Sequence, residues 1–142
     1  MAKKELVDII AENKVYYDSI GRVWCKILNS YVHFTSEGRL HLIYKGNRKK
    51  RPVKEQQYKL RLFPLVVPAL RHSTNIQAWR FPDGETTSKD VQFYAITCVV
   101  SRKKPINIRV IVKRTGDGQV NYHSVMEHKE KNTTKKPRTK RG

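Results

Sequence analysis

The sequence contains none of the short motifs that mark the common enzyme classes. It has no Walker A loop, no GxGxxG, no HExxH, no GxSxG and no CxxC pair. Nucleotide-dependent phosphoryl transfer, dinucleotide chemistry, zinc peptidases and serine hydrolases therefore lack their local signatures. The 12 acidic residues are few and scattered, and the histidines match no familiar ligand spacing. We expect neither a metal nor another cofactor.

Cysteines and long apolar runs are also scarce. Cys25 and Cys98 are the only cysteines, and each is predicted to be a buried thiol rather than half of a disulfide. No apolar run approaches the roughly 20 residues that a membrane-spanning helix needs. Glu5, Asp8 and Glu12 interrupt the segment where a secretory signal would be apolar, so we expect a cytoplasmic protein.

Positive charge is what the sequence has in excess. Its 30 Lys and Arg residues against 12 Asp and Glu give a net charge of +18. Repulsion among this many positive charges opposes folding. The excess charge therefore indicates a polyanionic partner, and nucleic acid is favoured over an anionic membrane surface. Residues 45–54 are strongly basic and are predicted to be a mobile loop. Residues 128–142 contain seven Lys and Arg against one Glu and none of the large hydrophobic residues, and they are predicted to be a disordered basic tail.

The hydrophobic pattern predicts a single α+β domain over residues 1–127, with 1–31 as an N-terminal extension. N-terminal helices would pack on one face of a C-terminal antiparallel β-sheet. Three strands are expected between Val91 and Met126, with a tight turn at residues 116–118. Upstream, the pattern predicts a helix over 3–13, a strand pair over 15–28, a strand over 31–35, a helix carrying His41, helices broken by Pro64 and Pro68 over 53–70, and an edge strand over 76–81.

The residues left for chemistry suit RNA cleavage by attack of the 2′-OH. That reaction needs a base, an acid and cations to stabilise charge on phosphorus. Arg109 is expected to project from the face of its strand opposite Ile108 and Val110, and His41 and His123 are expected to share the acid and base roles. Each also has a purely structural interpretation, as a solvated strand cation or as a capping, core or half-exposed histidine.

The register of the last hairpin decides which residue lies beside Arg109. A two-residue turn would place Tyr122 and Ser124 there, and a three-residue loop would place His123 there; the sequence leaves both open. Trp24 and Trp79 are predicted to lie in the core. Contacts to nucleic acid are predicted for basic residues of the loop, the sheet and the tail: Lys45, Arg48, Lys49, Lys50, Arg51, Lys113, Lys135, Lys136, Arg138, Lys140 and Arg141.

The order of these segments resembles a known superfamily. VHFTSEGRLHLIY is followed by the basic loop, by KLRLFPLVVPALRHS, and by the strands FYAITCVV, INIRVIVKR and GDGQVNYHSV. This order is similar to the small metal-independent RNases named for barnase, EndoU, colicin nucleases and RelE, especially their phage-borne and polymorphic-toxin branches. The resemblance covers about Val32 to Glu127 and is carried by loose motifs. The long basic tail and the prolines of the second helix depart from it.

The resemblance implies a helical part packed on one face of an antiparallel sheet, with the active site on the other face or its rim. The family's helix histidine would fall on His41, its strand arginine on Arg109, and its last polar group on Tyr122, His123 or Ser124. It implies RNA (tRNA, mRNA or rRNA) as the partner, an acidic antitoxin or immunity protein, and the cytoplasm of a bacterial host cell. The alternative is a non-catalytic nucleic-acid-binding protein of phage or mobile-element origin, because the charge explains binding without chemistry.

Overall fold

The computed structural model describes residues 5–45, 49–79, 91–100 and 103–128, and these form an α+β fold. The helices are α1 (Leu6–Ile20), α2 (Ser36–Leu40), α3 (Val53–Leu62) and α4 (Val66–Arg71), with a 3-10 turn over Phe63–Leu65. The strands are β1 (Arg22–Cys25), β2 (Ser30–His33), β3 (Asn75–Trp79), β4 (Val91–Val100), β5 (Ile106–Thr115) and β6 (Val120–Glu127).

The strands form one six-stranded sheet in the order β1-β2-β6-β5-β4-β3. The predicted meander of β4, β5 and β6 is confirmed. The sheet is mixed rather than purely antiparallel, because β2 pairs in parallel with the start of β6. The N-terminal strands β1 and β2 thus extend the sheet beyond β6. The predicted edge strand is present over Asn75–Trp79, and its remainder lies outside the described residues, as does the predicted tail beyond residue 128.

The predicted boundary between the first helix and the first strand is wrong. Residues 15–20 continue α1 instead of starting a strand, and the chain turns into β1 at Gly21, which has a φ of 68°. The physical reason is an apolar stripe at helical spacing: Ile9, Ile10, Tyr17 and Ile20 all pack against the core. Burial of this stripe outweighs the strand preference of the local aromatic and β-branched residues.

The core lies between the helices and one face of the sheet. Ile108, Val110 and Val112, which alternate along β5, are fully buried there. The two prolines act as predicted. Pro64 lies in the 3-10 turn that ends α3, and Pro68 lies in the first turn of α4, where a missing N–H costs little.

An aromatic cluster fills the part of the core beneath β6. Tyr122 stacks on Phe34 with ring centroids 5.2 Å apart and meets the edge of Phe63 at 5.4 Å. Tyr17 stacks on Phe63 at 5.3 Å. Tyr122 is therefore a core residue. Its predicted place beside Arg109 is corrected, because packing in this cluster turns its ring to the face opposite Arg109.

Both cysteines are buried free thiols, as predicted. Cys25 Sγ lies 3.5 Å from Ser73 Oγ. None of the helices in the described parts of the chain is long and apolar enough to cross a membrane. The face of the sheet opposite the core, here called the outer face, carries Trp79, Phe93, Arg109 and Lys113.

Candidate active site

The candidate site forms where β2 leaves the edge of β6. Only two residue pairs join these strands, Val32 with Val120 and His33 with Asn121, so the rest of β6 has an edge that β2 does not cover. Helix α3 covers it. Lys59 Nζ donates to the carbonyl of Val125 at 2.6 Å, and the N–H of Glu127 donates to Tyr58 Oη at 3.0 Å. Side chains of α3 thus satisfy backbone groups at the edge of β6 that β2 leaves unpaired.

His123 reaches the outer face because β6 contains a β-bulge. The pairing of Ile111 with Ser124 changes register to the pairing of Val112 with Tyr122, which leaves His123 as the extra residue. The turn itself spans the four residues 116–119 between β5 and β6, longer than either predicted turn. Consequently Ser124 lies on the face of Arg109, as one predicted register had it. His123 joins that face as well, through the bulge.

His41 and His123 are in direct contact on this face. Their ring centroids are 4.1 Å apart with an interplanar angle of 48°, and the His123 ring meets the edge of Phe93 at 5.0 Å. His41 is the residue immediately after α2 rather than within it, and its N–H donates to the Gly38 carbonyl at 3.2 Å. Arg51 Nε donates to the His41 carbonyl at 2.9 Å and fixes its position. Two histidines far apart in the sequence are thus brought together.

Both imidazoles are held neutral at pH 7. Burial, the adjacent His41 ring and the cations Lys113, Arg51 and Lys59 lower the pKa of His123 from 6.5 to about 3. Burial also lowers the pKa of His41, and the same three cations act in the same direction. Neutral imidazole accepts a proton at one nitrogen and donates at the other, so the pair can provide a general base in the free protein.

The side chain of Lys59 places a buried amine near the two histidines. Its side chain comes from α3, and Nζ lies 3.4 Å from Ser124 Oγ as well as contacting the Val125 carbonyl. Burial, followed by the positive charge of Arg51, lowers the pKa of Lys59 to about 8, with Glu55 acting in the opposite direction. At pH 7 the amine is therefore still mostly a cation, aimed at the hydroxyl of Ser124.

Lys113 supplies a second cation at the site. It pairs with Asn121 across the sheet on the outer face, and its Nζ lies 3.6 Å from a carboxylate oxygen of Glu37. Most of the Glu37 side chain is exposed, so this ion pair holds Lys113 in place weakly. The amine of Lys113 is therefore not firmly held by Glu37.

Arg109 belongs to a neighbouring cluster on the same face. Its guanidinium carbon lies 4.8 Å from the centroid of the Trp79 ring, it contacts His128 Nδ1, and Nη1 lies 3.9 Å from Met126 Sδ. The Ile111–Ser124 pair separates Arg109 from the bulge at His123, a step of roughly 7 Å along the strands. Its buried Nε has no hydrogen-bond partner among the described residues. Trp79, predicted to be core, is half-buried beneath this guanidinium.

The described parts of the predicted basic loop, residues 45 and 49–54, make regular backbone contacts that were not predicted. Tyr44 and Lys50 form a β-bridge, and the N–H of Lys45 donates to the Lys49 carbonyl at 2.8 Å. Arg51 was predicted to contact nucleic acid, but its guanidinium is engaged by Glu55 and by the His41 carbonyl. Of the other predicted nucleic-acid contacts, Arg48, Lys135, Lys136, Arg138, Lys140 and Arg141 lie outside the described residues.

Sequence reasoning missed Lys59, although a signal was present. Gln56, Lys59 and Leu60 share one face of α3 at helical spacing and are all buried. Two polar residues on the buried stripe of an amphipathic helix require internal partners, and such positions are candidates for a site. Phe93, which packs against His123, carried no comparable signal because aromatic residues on strands usually fill the core.

In the part of the chain that the structure describes, no three His, Cys, Asp or Glu side chains are grouped closely enough to hold a metal ion. The residues brought together are therefore two histidines, a serine and several cations. No protein-family model, no curated protein and no solved structure matches this chain.

Proposed function

We propose that this chain is a metal-independent endoribonuclease that cleaves RNA by attack of the 2′-OH and leaves a 2′,3′-cyclic phosphate. The observation that carries the proposal is the contact of His41 with His123 on the outer face, beside Ser124 and the cations Lys59 and Lys113. A partly buried pair of imidazoles surrounded by cations is better suited to binding a phosphodiester than to contact with water alone.

In the proposed reaction one histidine takes the proton of the 2′-OH as the 2′-oxygen forms a bond to phosphorus. The bond between phosphorus and the 5′-oxygen breaks, and the other histidine gives that oxygen a proton. Lys113 and the amine of Lys59, acting through Ser124, stabilise the charge that develops on the phosphoryl oxygens. Arg109, one step along the face, would contact the phosphorane or the adjacent phosphate, which its planar guanidinium suits.

Substrate binding would supply the missing acid. In the free protein both histidines are neutral, because burial and cations lower their pKa values. A bound phosphate brings negative charge next to them and neutralises part of the effect of Lys113 and Lys59, so it raises the pKa of each ring. One imidazole then takes up a proton and becomes the general acid. The pair is thus activated by the phosphate that it cleaves.

The excess positive charge of the chain also supports a role in binding RNA. A net charge of +18 attracts RNA from a distance, and the basic residues of the tail and of the segment after α2 would add phosphate contacts. Each phosphate neutralised should steepen the log-log salt dependence of binding by about one unit. RNA in the cytoplasm of a bacterial host is the proposed substrate. An acidic antitoxin or immunity protein is the proposed neutralising partner.

The test is cleavage of total RNA by the purified protein in EDTA. Wild type should give products with 2′,3′-cyclic ends, and His41→Ala, His123→Ala and Lys113→Ala should each reduce the rate by about 100-fold or more, as removal of an acid, a base or a charge-stabilising group does. Val99→Ala, which shortens an exposed side chain elsewhere on β4, is the matched control and should cleave as wild type does.

A second candidate, non-catalytic binding of nucleic acid, rests on the cluster of Arg109 and Trp79. A guanidinium over an indole ring is a surface on which a base can stack without any chemistry. Tight binding by wild type of several classes of RNA that all stay intact in the same assay would refute the nuclease proposal and favour this one.

A further inference from the structure

The hairpin of β1 and β2 presents large aromatic side chains to solvent. Trp24 is 43% exposed and Tyr31 is 39% exposed, although Trp24 was predicted to be core. They face each other across the strands with ring centroids 5.0 Å apart, and the guanidinium of Arg22 lies 4.1 Å from the centroid of the Tyr31 ring. The core is filled by the alternate residues Val23 and Val32, so these three side chains do not face the core.

This aromatic patch (Arg22, Trp24 and Tyr31) lies on the same face as the candidate active site. Cross-strand partners form one unbroken row from β1 to β3: Arg22, His33, Asn121, Lys113, Phe93 and Trp79. Every member of that row is at least partly exposed. Lys113 and Phe93 of the candidate site therefore belong to the same row of residues as Arg22 of the patch. By strand geometry, Tyr31 lies roughly 10–15 Å from His123.

The side chains of the patch indicate which kind of ligand it binds. Two aromatic rings and a guanidinium offer stacking surfaces to flat, uncharged rings, while a net charge of +18 favours a polyanion. Single-stranded RNA has both features, since its bases are unpaired and its backbone is charged. Duplex RNA keeps its bases stacked inside the helix and cannot use the rings.

We propose that the aromatic patch binds nucleobases of single-stranded RNA, and that the strand then runs along the outer face to the pair of His41 and His123. The second half of this statement rests on the proposed nuclease function; the first half does not. The patch thus makes single-stranded RNA, rather than duplex, the substrate class. It binds the strand at a distance from the bond that is cut.

The test is binding of a short 2′-O-methyl oligoribonucleotide, which lacks the attacking hydroxyl and cannot be cut by the proposed reaction. Trp24→Ala and Tyr31→Ala should each weaken its binding by about 5- to 100-fold, which is the range that loss of one base-stacking contact produces. Trp24→Phe keeps a ring and should lose much less. Binding of the matching duplex should change less than threefold in all three variants.

Tyr16→Ala is the matched control, because Tyr16 is also 39% exposed but lies on α1. It should bind the single strand as wild type does. Equal affinity of wild type, Trp24→Ala and Tyr31→Ala for the single strand would overturn the inference, as would equal losses for single strand and duplex. Cleavage by wild type is scored separately. If natural RNA stays intact while the patch variants lose single-strand binding, the nuclease proposal fails and the binding site stands.

Discussion

Replacing His123 with phenylalanine should make the protein lose much less stability when the pH is lowered. The imidazole is half-buried against His41 and near three cations, and its pKa is lowered from 6.5 to about 3. Between these values the unfolded chain binds a proton that the folded protein does not. Stability therefore falls as the pH falls from 6.5 towards 3, and it is fully present above 6.5.

The size of the effect follows from the two pKa values. At pH 5 the unfolded histidine is mostly protonated and the folded one is not, so His123 alone accounts for a loss of about 2 kcal/mol relative to pH 7.5. Urea unfolding at pH 7.5 and pH 5.0 measures it. His123→Phe should lack this part of the loss, because the ring that contacts Phe93 is kept while the titrating nitrogens are removed.

His33→Phe is the control for this experiment, since it removes a histidine of the outer face that lies outside the pair. It should keep the wild-type loss. The reasoning would be refuted if wild type and His123→Phe lost equal stability between the two pH values, because His123 would then not be a neutral buried group. A non-cleavable oligonucleotide should also bind wild type more tightly at pH 5 than at pH 7.5, and this gain should be smaller in His123→Phe.

Three further substitutions and one control, Gly118→Ala, test the surroundings of the site by the free energy of unfolding. Lys59→Met should remove a rise in stability of up to about 3 kcal/mol between pH 8 and 10.5, where the unfolded amine stays protonated and the folded one, with its pKa of about 8, does not. Tyr122→Phe should be neutral or stabilise by about 1 kcal/mol and leave cleavage intact, because it removes a buried hydroxyl that has no partner among the described residues. Gly38→Ala should cost about 1–3 kcal/mol, since its Cβ would come within 2.5 Å of the Tyr122 carbonyl oxygen; Gly118→Ala, whose Cβ would meet one turn carbonyl at 2.9 Å, should cost less.

Local patterns were enough to predict the centre of the sheet. Ile108, Val110 and Val112 recur at every second position, and this period of two predicts a strand that turns one face to the core. The effect of Pro64 and Pro68 is local for the same reason, because a proline interrupts the interior of a helix but is tolerated in its first turn, whatever the rest of the fold. Features of this kind depend on neighbouring residues and do not require knowledge of the fold.

Features that depend on distant partners were not predictable. The parallel pairing of β2 with β6 joins residues nearly 90 positions apart, and no residue in either strand signals it. Trp24 is exposed because it lies on the outer face of β1 while Val23 and Cys25 face the core, whereas the hydrophobic character of tryptophan alone favours the core. The exposed pair of Trp24 and Tyr31 could be recognised only after their strands were seen to be antiparallel neighbours on the outer face.

The position of His123 shows why neither of the two predicted hairpin registers fully describes β6. In a regular hairpin Tyr122 and Ser124 would share one face, so a tyrosine in the core would bring the serine with it. Tyr122 fits the aromatic cluster of Tyr17 and Phe63, and Val125 must also be buried. One extra residue between them satisfies both demands, and that residue is His123. Core packing therefore forces the bulge, and the bulge places the imidazole against His41 on the face where a phosphate can reach it.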